Sequence, residues 1–378
     1  MKKNVYITAS SCVTPLGFDV ASNWDALQNN LSGIKKHQNI GQLESFYASI
    51  VDSNKLDLAF SKVESNHHFT KLEKMMILAL KPLVEENKIS KKTAFIFSTT
   101  KGNISLLEDK KVSVENAQLA ALAKKISAYF GFEVEPIVVS NACVSGILAV
   151  SVAKRMIETG LYENAFVVAG DEVSEFVLSG FNSFQAMSAE PCKPYDANRT
   201  GVTLGEAVAA VYITANEDEL KSNSFRIIGD GAVNDANHIS GPSRTGEGLF
   251  RSIESAFKEA KLEKNKVKYI SAHGTATLYN DEMEAIAFNR LGLQNVPVNS
   301  LKGYYGHTLG ASGLLETVMA MESAKQNRLI VSKGYSDLGV SQEINVITDN
   351  DVIEMDYFLK TASGFGGCNT AVLFEKVS

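Results

Sequence analysis

Short apolar runs of strand character alternate with helix-period segments along the whole chain, and this alternation constrains the fold more than any other feature. In the first part the runs are NVYITA, KTAFIFST, EPIVVS, AFVVAG and AVAAVYIT; in the second they are FRIIGDGAV, VKYISAH, VPVNS and TAVLF. Between them, helices are predicted over 23–28, 70–86, 114–130, 144–159, 248–260, 281–291 and 312–326. Strands that alternate with helices imply an α/β protein with largely parallel sheets. In both parts the chemically interesting residues fall at strand ends, where ligand sites gather in such folds. KSNSF at 221–225 is polar and turn-like, the best boundary between a half 1–220 and a half 221–378. Residues 35–53 read as a polar surface excursion, and 105–116 as a short loop leading into a helix.

With 378 residues, 45% apolar and 21% charged, the chain has the make-up of a soluble globular protein with a substantial core. No apolar run approaches the roughly 20 residues of a membrane helix. The start, MKKNVYITASS, alternates like a strand rather than like a signal peptide. The four cysteines, Cys12, Cys143, Cys192 and Cys368, form no CxxC pair and no zinc-ligand pattern. A reducing, cytoplasmic location with no metal is therefore expected. A net charge of −6 gives no electrostatic case for nucleic acid, and Rossmann and P-loop patterns are absent.

Three segments carry chemistry. In SNACVSGILAV the hydrophobic run EPIVVS leads through small residues into an apolar helix, which puts the Cys143 thiol at a helix start. The ordinary reading of a cysteine is a small buried hydrophobe. Here the open turn favours a nucleophile whose thiolate the helix dipole would stabilise, with N–H groups ready for an oxyanion. His273 lies in SAHGTATLYNDEMEA and His307 in NSLKGYYGHTLGASGLLE, both in loops of Gly, Thr and Ser rather than on apolar helical faces. Lone histidines are usually satisfied core groups, but a cysteine with two loop histidines is the set needed for carbon–carbon bond chemistry on thioesters.

These segments resemble the β-ketoacyl-(acyl carrier protein) synthases, elongating condensing enzymes of the thiolase-like superfamily. The likeness runs from KNVYITASSCVTPLG through NACVSG, KPYDANRTGVTLGEA, HGTAT and LKGYYGHTLGASGLLE to SGFGGCNTAVLF, six segments in the family's order. The resemblance implies a thiolase-like five-layered αβαβα fold built from two similar halves, with Cys143 in the first and His273 and His307 in the second. It implies a decarboxylative Claisen condensation. Cys143 takes an acyl group from acyl carrier protein, and malonyl-carrier protein loses CO₂ to give an enolate that the two imidazoles stabilise. The acyl chain, of fatty-acid or polyketide or polyene type, grows by two carbons, and no cofactor is required.

The same resemblance makes Lys302 the active-site lysine of a supporting network and Glu316 its partner. It gives Phe365 of the GFGG loop an oxyanion-hole N–H beside that of Cys143, and a gate over the acyl pocket. Asp281 and Glu284 match acidic positions of the network and read as structural charges near a helix start. Lys71 and Lys74, three apart in FTKLEKMM, resemble a docking helix for the acidic carrier protein, with Arg199 a third candidate; the ordinary reading is three solvated charges. A homodimer pairing through the EPIVVS strand is implied, or a heterodimer with a related subunit, and neither membrane nor nucleic acid is a partner.

The alternatives are a thiolase, which uses a second C-terminal cysteine, and a silent chain-length-factor subunit, which lacks the nucleophile present here. Initiating synthases pair one histidine with an asparagine, which GYYGH does not fit. The chain departs from the family at Arg199-Thr200-Gly201-Val202 and Gly205-Glu206-Ala207-Val208, and is compressed between TTKGNISLL and EPIVVSNAC.

Overall fold

A computed structural model describes residues 3–40, 43–65, 68–108, 113–236 and 241–377. The strands are β1 (Tyr6–Val13), β2 (Ile34–Ile40), β3 (Leu43–Ser49), β4 (Thr93–Ser98), β5 (Ile137–Val139), β6 (Asn164–Asp171), β7 (Leu204–Gly205) and β8 (Ala207–Thr214). The chain continues through β9 (Phe225–Asn234), β10 (Tyr269–Ser271), β11 (Val298–Asn299), β12 (Tyr357–Gly364) and β13 (Cys368–Lys376). The helices are α1 (Val20–Gln28), α2 (Ser53–Phe60), α3 (Lys71–Glu86), α4 (Val114–Ala117), α5 (Leu119–Phe130) and α6 (Ser145–Glu158). They go on as α7 (Glu175–Ser183), α8 (Glu247–Ala260), α9 (Leu278–Arg290), α10 (Lys302–Tyr305) and α11 (Ser312–Gln326). Among the described residues no helix is long and apolar enough to cross a membrane.

Ten strands hydrogen-bond in the order β11-β10-β12-β13-β9-β1-β8-β6-β4-β5. Counted in chain order within each half, β5-β4-β6-β8-β1 and β11-β10-β12-β13-β9 both read 3-2-4-5-1. The two halves therefore share one topology. They meet where β1 pairs with β9 at Tyr6–Arg226 and Ile7–Phe225. Only the outer three strands of each half are parallel, and the inner pairings are antiparallel. The largely parallel sheet expected from the alternation is thus corrected to a mixed one. In each half the fourth strand is followed by an antiparallel return, tightest at the β12–β13 turn.

Strand alternation sorts the core into layers. Phe95 and Phe97 of β4, Phe166 and Val168 of β6, and Val208, Ala210 and Tyr212 of β8 face α3 and α5. Their neighbours Ala94, Ile96, Ala165, Val167, Ala209 and Val211 face the buried helices α6 and α11. From the other side Phe358, Val372 and Phe374 meet the same two helices, while Leu359, Ala371 and Leu373 face α8 and α9. Helix, sheet, helix, sheet, helix: five layers result. Composition explains the placement. In α8, Leu249, Ser252, Ile253, Ala256 and Phe257 make one apolar stripe for one sheet, whereas α11 is buried on all sides through Met321 and needs a sheet on both faces.

Local signals fix the ends of some helices. Thr70 and Glu73 form a reciprocal capping box that starts α3. Gln118 is extended and splits the helix expected over 114–130 into α4 and α5. Residues 35–53 are no irregular excursion: β2 and β3 form a hairpin, and β3 pairs with β7. Of the EPIVVS run only Ile137–Val139 is strand, and α2 and α7 had no counterpart in the sequence reading. Within the loop expected at 105–116, residues 109–112 lie outside those described.

Candidate active site

The third strand of each half ends at the centre of the protein. After β5 the chain turns through Ala142, whose φ of 45° is left-handed and strained for a residue with a side chain. Ser145 holds that turn from inside. Its hydroxyl accepts from the Asn141 N–H at 2.8 Å and donates to the Ala142 carbonyl at 2.6 Å. Cys143 emerges just before α6, 7% exposed. The Phe365 N–H, from the β12–β13 turn, points at its sulfur.

Helix-start placement predicts an acidified thiol, and the structure corrects this. Burial, reinforced by the neighbouring Cys368 thiol, pushes Cys143 up to about 12, against the opposing effects of the Lys302 charge and the Phe365 N–H. At rest it is a thiol.

After β10 the chain enters the turn that carries His273, and Gly274 (φ 44°) lets it fold against Ser300, whose Cβ would lie 2.5 Å from a side chain there. Glu284 accepts from the N–H groups of His273 (2.8 Å) and Gly274 (2.7 Å), and Asp281 accepts from Thr275 (2.9 Å). Tyr195 ties both acids to the first half: its N–H donates to Asp281 at 2.7 Å and its hydroxyl to Glu284 at 3.0 Å. Burial raises both carboxyls, Asp281 to about 7. Asn280 Nδ2 also donates to Glu284 at 3.0 Å and to Asp281 at 3.3 Å, and Arg199 Nε lies 3.9 Å from Asp281.

His307 follows α10, whose C-cap Gly306 has φ 66° and lies so close to the Leu204 carbonyl that a Cβ would come within 2.5 Å of it. Its N–H donates to the Thr203 carbonyl at 2.6 Å, and its carbonyl accepts from Gly205 at 3.0 Å. The TLG of RTGVTLGEA is therefore the clamp on the His307 backbone. The two imidazoles lie with ring centres 5.2 Å apart and planes at 83°.

Hydrogen bonding assigns their tautomers. Lys302 Nζ is 3.4 Å from His273 Nδ1, and an ammonium can only donate, so Nδ1 accepts and the proton sits on Nε2. Ser312 Oγ accepts from the Thr308 N–H at 3.1 Å and lies 3.0 Å from His307 Nδ1, to which its own proton can go. His307 then also carries its proton on Nε2. Burial first, then the Lys302 charge, holds both imidazoles well below their usual 6.5. Two neutral N–H donors are the result.

Lys302 and Glu316 are buried and pair at 2.7 Å. Lys302 also donates to the His273 carbonyl at 2.5 Å. The other oxygen of Glu316 meets Lys360 of β12 at 2.6 Å, a residue the sequence reading did not select. Its signal was the alternation of YFLKTASG: Phe358 and Ala362 face the central layer, and so does the residue midway between them. Also missed was α7, whose Phe181 and Phe184 lie 5.7 and 5.5 Å from the Phe365 ring, with Phe181 edge-on to His307 at 6.3 Å. Phe365 is itself 37% exposed.

The docking residues do not gather. Arg199 is buried and donates to the Asp196 and Gly339 carbonyls, so it presents no charge outward. Lys71 is neutralised by buried Glu206 at 2.5 Å and Lys74 by Asp57 at 2.7 Å. All three were expected at a basic rim; Arg199 is turned inward and Lys71 pairs with a buried carboxylate, while Lys74 is matched by an acid on the surface. Cys368 lies beside the Asn141 and Phe365 carbonyls at 3.7 and 3.6 Å, and burial raises its thiol to about 11, so it stays protonated near neutrality. Among the described residues no cluster of acidic, histidine or cysteine side chains could hold a metal ion.

Five layers and a duplicated topology, with a buried cysteine ahead of α6 and a pair of buried imidazoles, define a thiolase-like fold equipped as an acyl-transferring condensing enzyme. The family models described as "Beta-ketoacyl synthase, N-terminal domain" and "Beta-ketoacyl synthase, C-terminal domain" match residues 2–219 and 225–332. The chain belongs to the β-ketoacyl synthase family. It is 28% identical to a putative mitochondrial 3-oxoacyl-[acyl-carrier-protein] synthase of Schizosaccharomyces pombe, over 99% of either chain. It is 27% identical to 3-oxoacyl-[acyl-carrier-protein] synthase 2 of Vibrio harveyi, over 100% of this chain and 99% of that one. Its fold matches a ketosynthase solved with its chain length factor from Xenorhabdus doucetiae (TM-score 0.87, 24% identity, 99% and 98% covered). It also matches a β-ketoacyl synthase from Burkholderia phymatum (TM-score 0.85, 22% identity, both chains fully covered).

The raised Cys143 thiol has a kinetic signature. Because the thiolate is the reactive form, alkylation of Cys143 by iodoacetamide should rise about tenfold per pH unit from pH 7 to 10. Peptide mapping against Cys143→Ser isolates the rate, and a plateau near neutrality would contradict burial as the dominant influence.

Proposed function

We propose that this chain is a 3-oxoacyl-[acyl-carrier-protein] synthase that uses Cys143 as nucleophile and His273 and His307 as enolate stabilisers. What supports the reading is the pair of buried imidazoles, ring centres 5.2 Å apart and held well below their usual protonation range, together with a thiol that faces a backbone N–H.

In the first step the Cys143 sulfur attacks the carbonyl of an acyl-carrier thioester. Negative charge collects on the carbonyl oxygen against the N–H groups of Cys143 and Phe365. The carrier sulfur leaves and takes up the proton that Cys143 gave, so the step ends with acyl-cysteine and free carrier thiol. In the second, malonyl-carrier protein loses CO₂, and the electron pair of the broken bond forms an enolate whose oxygen the two imidazoles hold. The enolate carbon attacks acyl-cysteine, the C–S bond breaks to leave a Cys143 thiolate, and the thiolate takes a proton from solvent as the 3-oxoacyl thioester departs. Neutral imidazoles suit this step because they donate without adding charge to a site that already holds two ammonium groups. Asp281, Glu284, Lys302 and Glu316 position, while Phe365, backed by Phe181 and Phe184, gates the acyl entrance. The nucleophile speaks against a silent chain-length-factor role, and no bound cofactor enters the scheme.

In this reading residues 1–220 form the half carrying Cys143 and 221–378 the half carrying the histidines. The protein works in a reducing compartment such as the cytoplasm, where its four unpaired cysteines are stable. It pairs as a homodimer along β5, which among the described residues ends the sheet and bonds only to β4, with Val138 36% exposed. Light scattering should return about twice the 41.0 kDa chain mass at micromolar concentration, and the single mass would count against this pairing.

The mechanism separates the steps. His273→Ala or His307→Ala should cut CO₂ release from malonyl-carrier protein by about 10²–10³ while acyl-enzyme formation on Cys143 stays measurable. Variants that lost acylation yet kept decarboxylation would refute the enolate assignment.

A further inference from the structure

Lys360 is a fully buried ammonium that the scheme above does not use. Four oxygens surround its Nζ: Glu316 Oε2 at 2.6 Å and the carbonyls of Thr361 at 2.7 Å, Ser271 at 3.1 Å and Ala272 at 3.3 Å. A lysine has three protons for these four acceptors, so the cage is not shaped for directional donors alone. One carboxylate and three carbonyl oxygens are the donor set that a hard cation takes.

We propose that Lys360 is a positioning residue whose ammonium acts as a resident monovalent cation, holding Glu316 and the end of β10 so that His273 is correctly aimed. The proposal rests on the synthase reading given above.

The geometry connects the cage to the imidazole directly. Ser271 and Ala272 immediately precede His273, whose own carbonyl is held by Lys302. Three successive carbonyls at the end of β10 are thus pinned by two ammonium groups that share one carboxylate. On the opposite side Glu284 pins the N–H groups of His273 and Gly274. With Lys360 gone, three carbonyls and one carboxylate oxygen lose their cation in a buried place, and the turn is free to rotate the ring away from His307. A loss of about 1 Å in placement is enough to cost roughly 10²-fold in rate.

Two variants test this. Lys360→Met fills the cage without charge, and Lys360→Ala empties it. Both should lower kcat for malonyl-carrier decarboxylation by about 10- to 100-fold, with KM changed far less. In Lys360→Ala, potassium or ammonium chloride should restore kcat and raise Tm relative to choline chloride at equal ionic strength, because a cation that binds only the folded cage stabilises it. Lys360→Met, its cage filled, should show no rescue, and the wild-type protein should ignore the choice of salt. The proposal is overturned if Lys360→Met decarboxylates like wild type. It is equally overturned if Lys360→Ala responds to neither small cation in rate or Tm, or folds in none of the salts. A wild-type protein that neither acylates Cys143 nor releases CO₂ would instead strike the synthase reading, and the Tm response of Lys360→Ala would still decide the cation question.

Discussion

Glu316 reaches Lys302 with one carboxylate oxygen and Lys360 with the other, and all three side chains are shut away from water between the two halves of the sheet. Burying an ion costs several kcal/mol unless its charge and hydrogen-bonding capacity are met. Here they are met by one another and by carbonyls at the end of β10. The cluster joins α10, α11, β10 and β12, so the residues that precede both histidines are fixed by one network. It also carries one more positive charge than negative. That excess, added to burial, disfavours protonation of His273 and His307 and keeps both as neutral donors. An imidazolium pair with ring centres 5.2 Å apart beside this cluster would be mutually repulsive.

The duplicated topology explains how such a site arises where the halves meet. In each half the chain passes from the third strand to a helix of the central layer, directly in the first half and by way of α10 in the second. In the first half that passage delivers Cys143 ahead of α6, in the second His307 ahead of α11. The two helices pack together in one core, so equivalent points of the two units converge. The fourth-to-fifth strand connections complete the arrangement. The β12–β13 turn brings Phe365 to Cys143, and the β6–β8 connection brings Thr203 and Gly205 to the backbone of His307.

Much of this was legible in the sequence because strand-to-helix junctions with Gly, Ser and Thr are chemically unusual and easy to see. Cys143, His273, His307, Lys302 and Glu316 all lie in or beside such segments, and the structure joins Lys302 and Glu316 to the pair of imidazoles. The antiparallel inner strands were not legible, since apolar runs report burial on both faces and say nothing of direction. Lys360 escaped because a lysine inside an apolar run reads as an interruption until the strand is placed and its facing is known. The docking residues failed for a related reason: spacing puts Lys71 and Lys74 on one helix, but only the fold reveals Glu206 and Asp57 opposite them. The acidified Cys143 was not to be had from position alone, because desolvation of a nearly closed thiol outweighs the Lys302 charge and the Phe365 N–H that oppose it.

That the imidazoles act as neutral donors is the claim on which the mechanism turns. It can be read without turnover, by nuclear magnetic resonance of the resting protein with isotope-labelled histidine, His273 and His307 being assigned through single asparagine variants. Both rings are predicted to remain neutral, with the proton on Nε2, as the pH is lowered through 6.5. Titration of either ring at or above 6.5, or a proton resting on Nδ1 of either, would contradict the account.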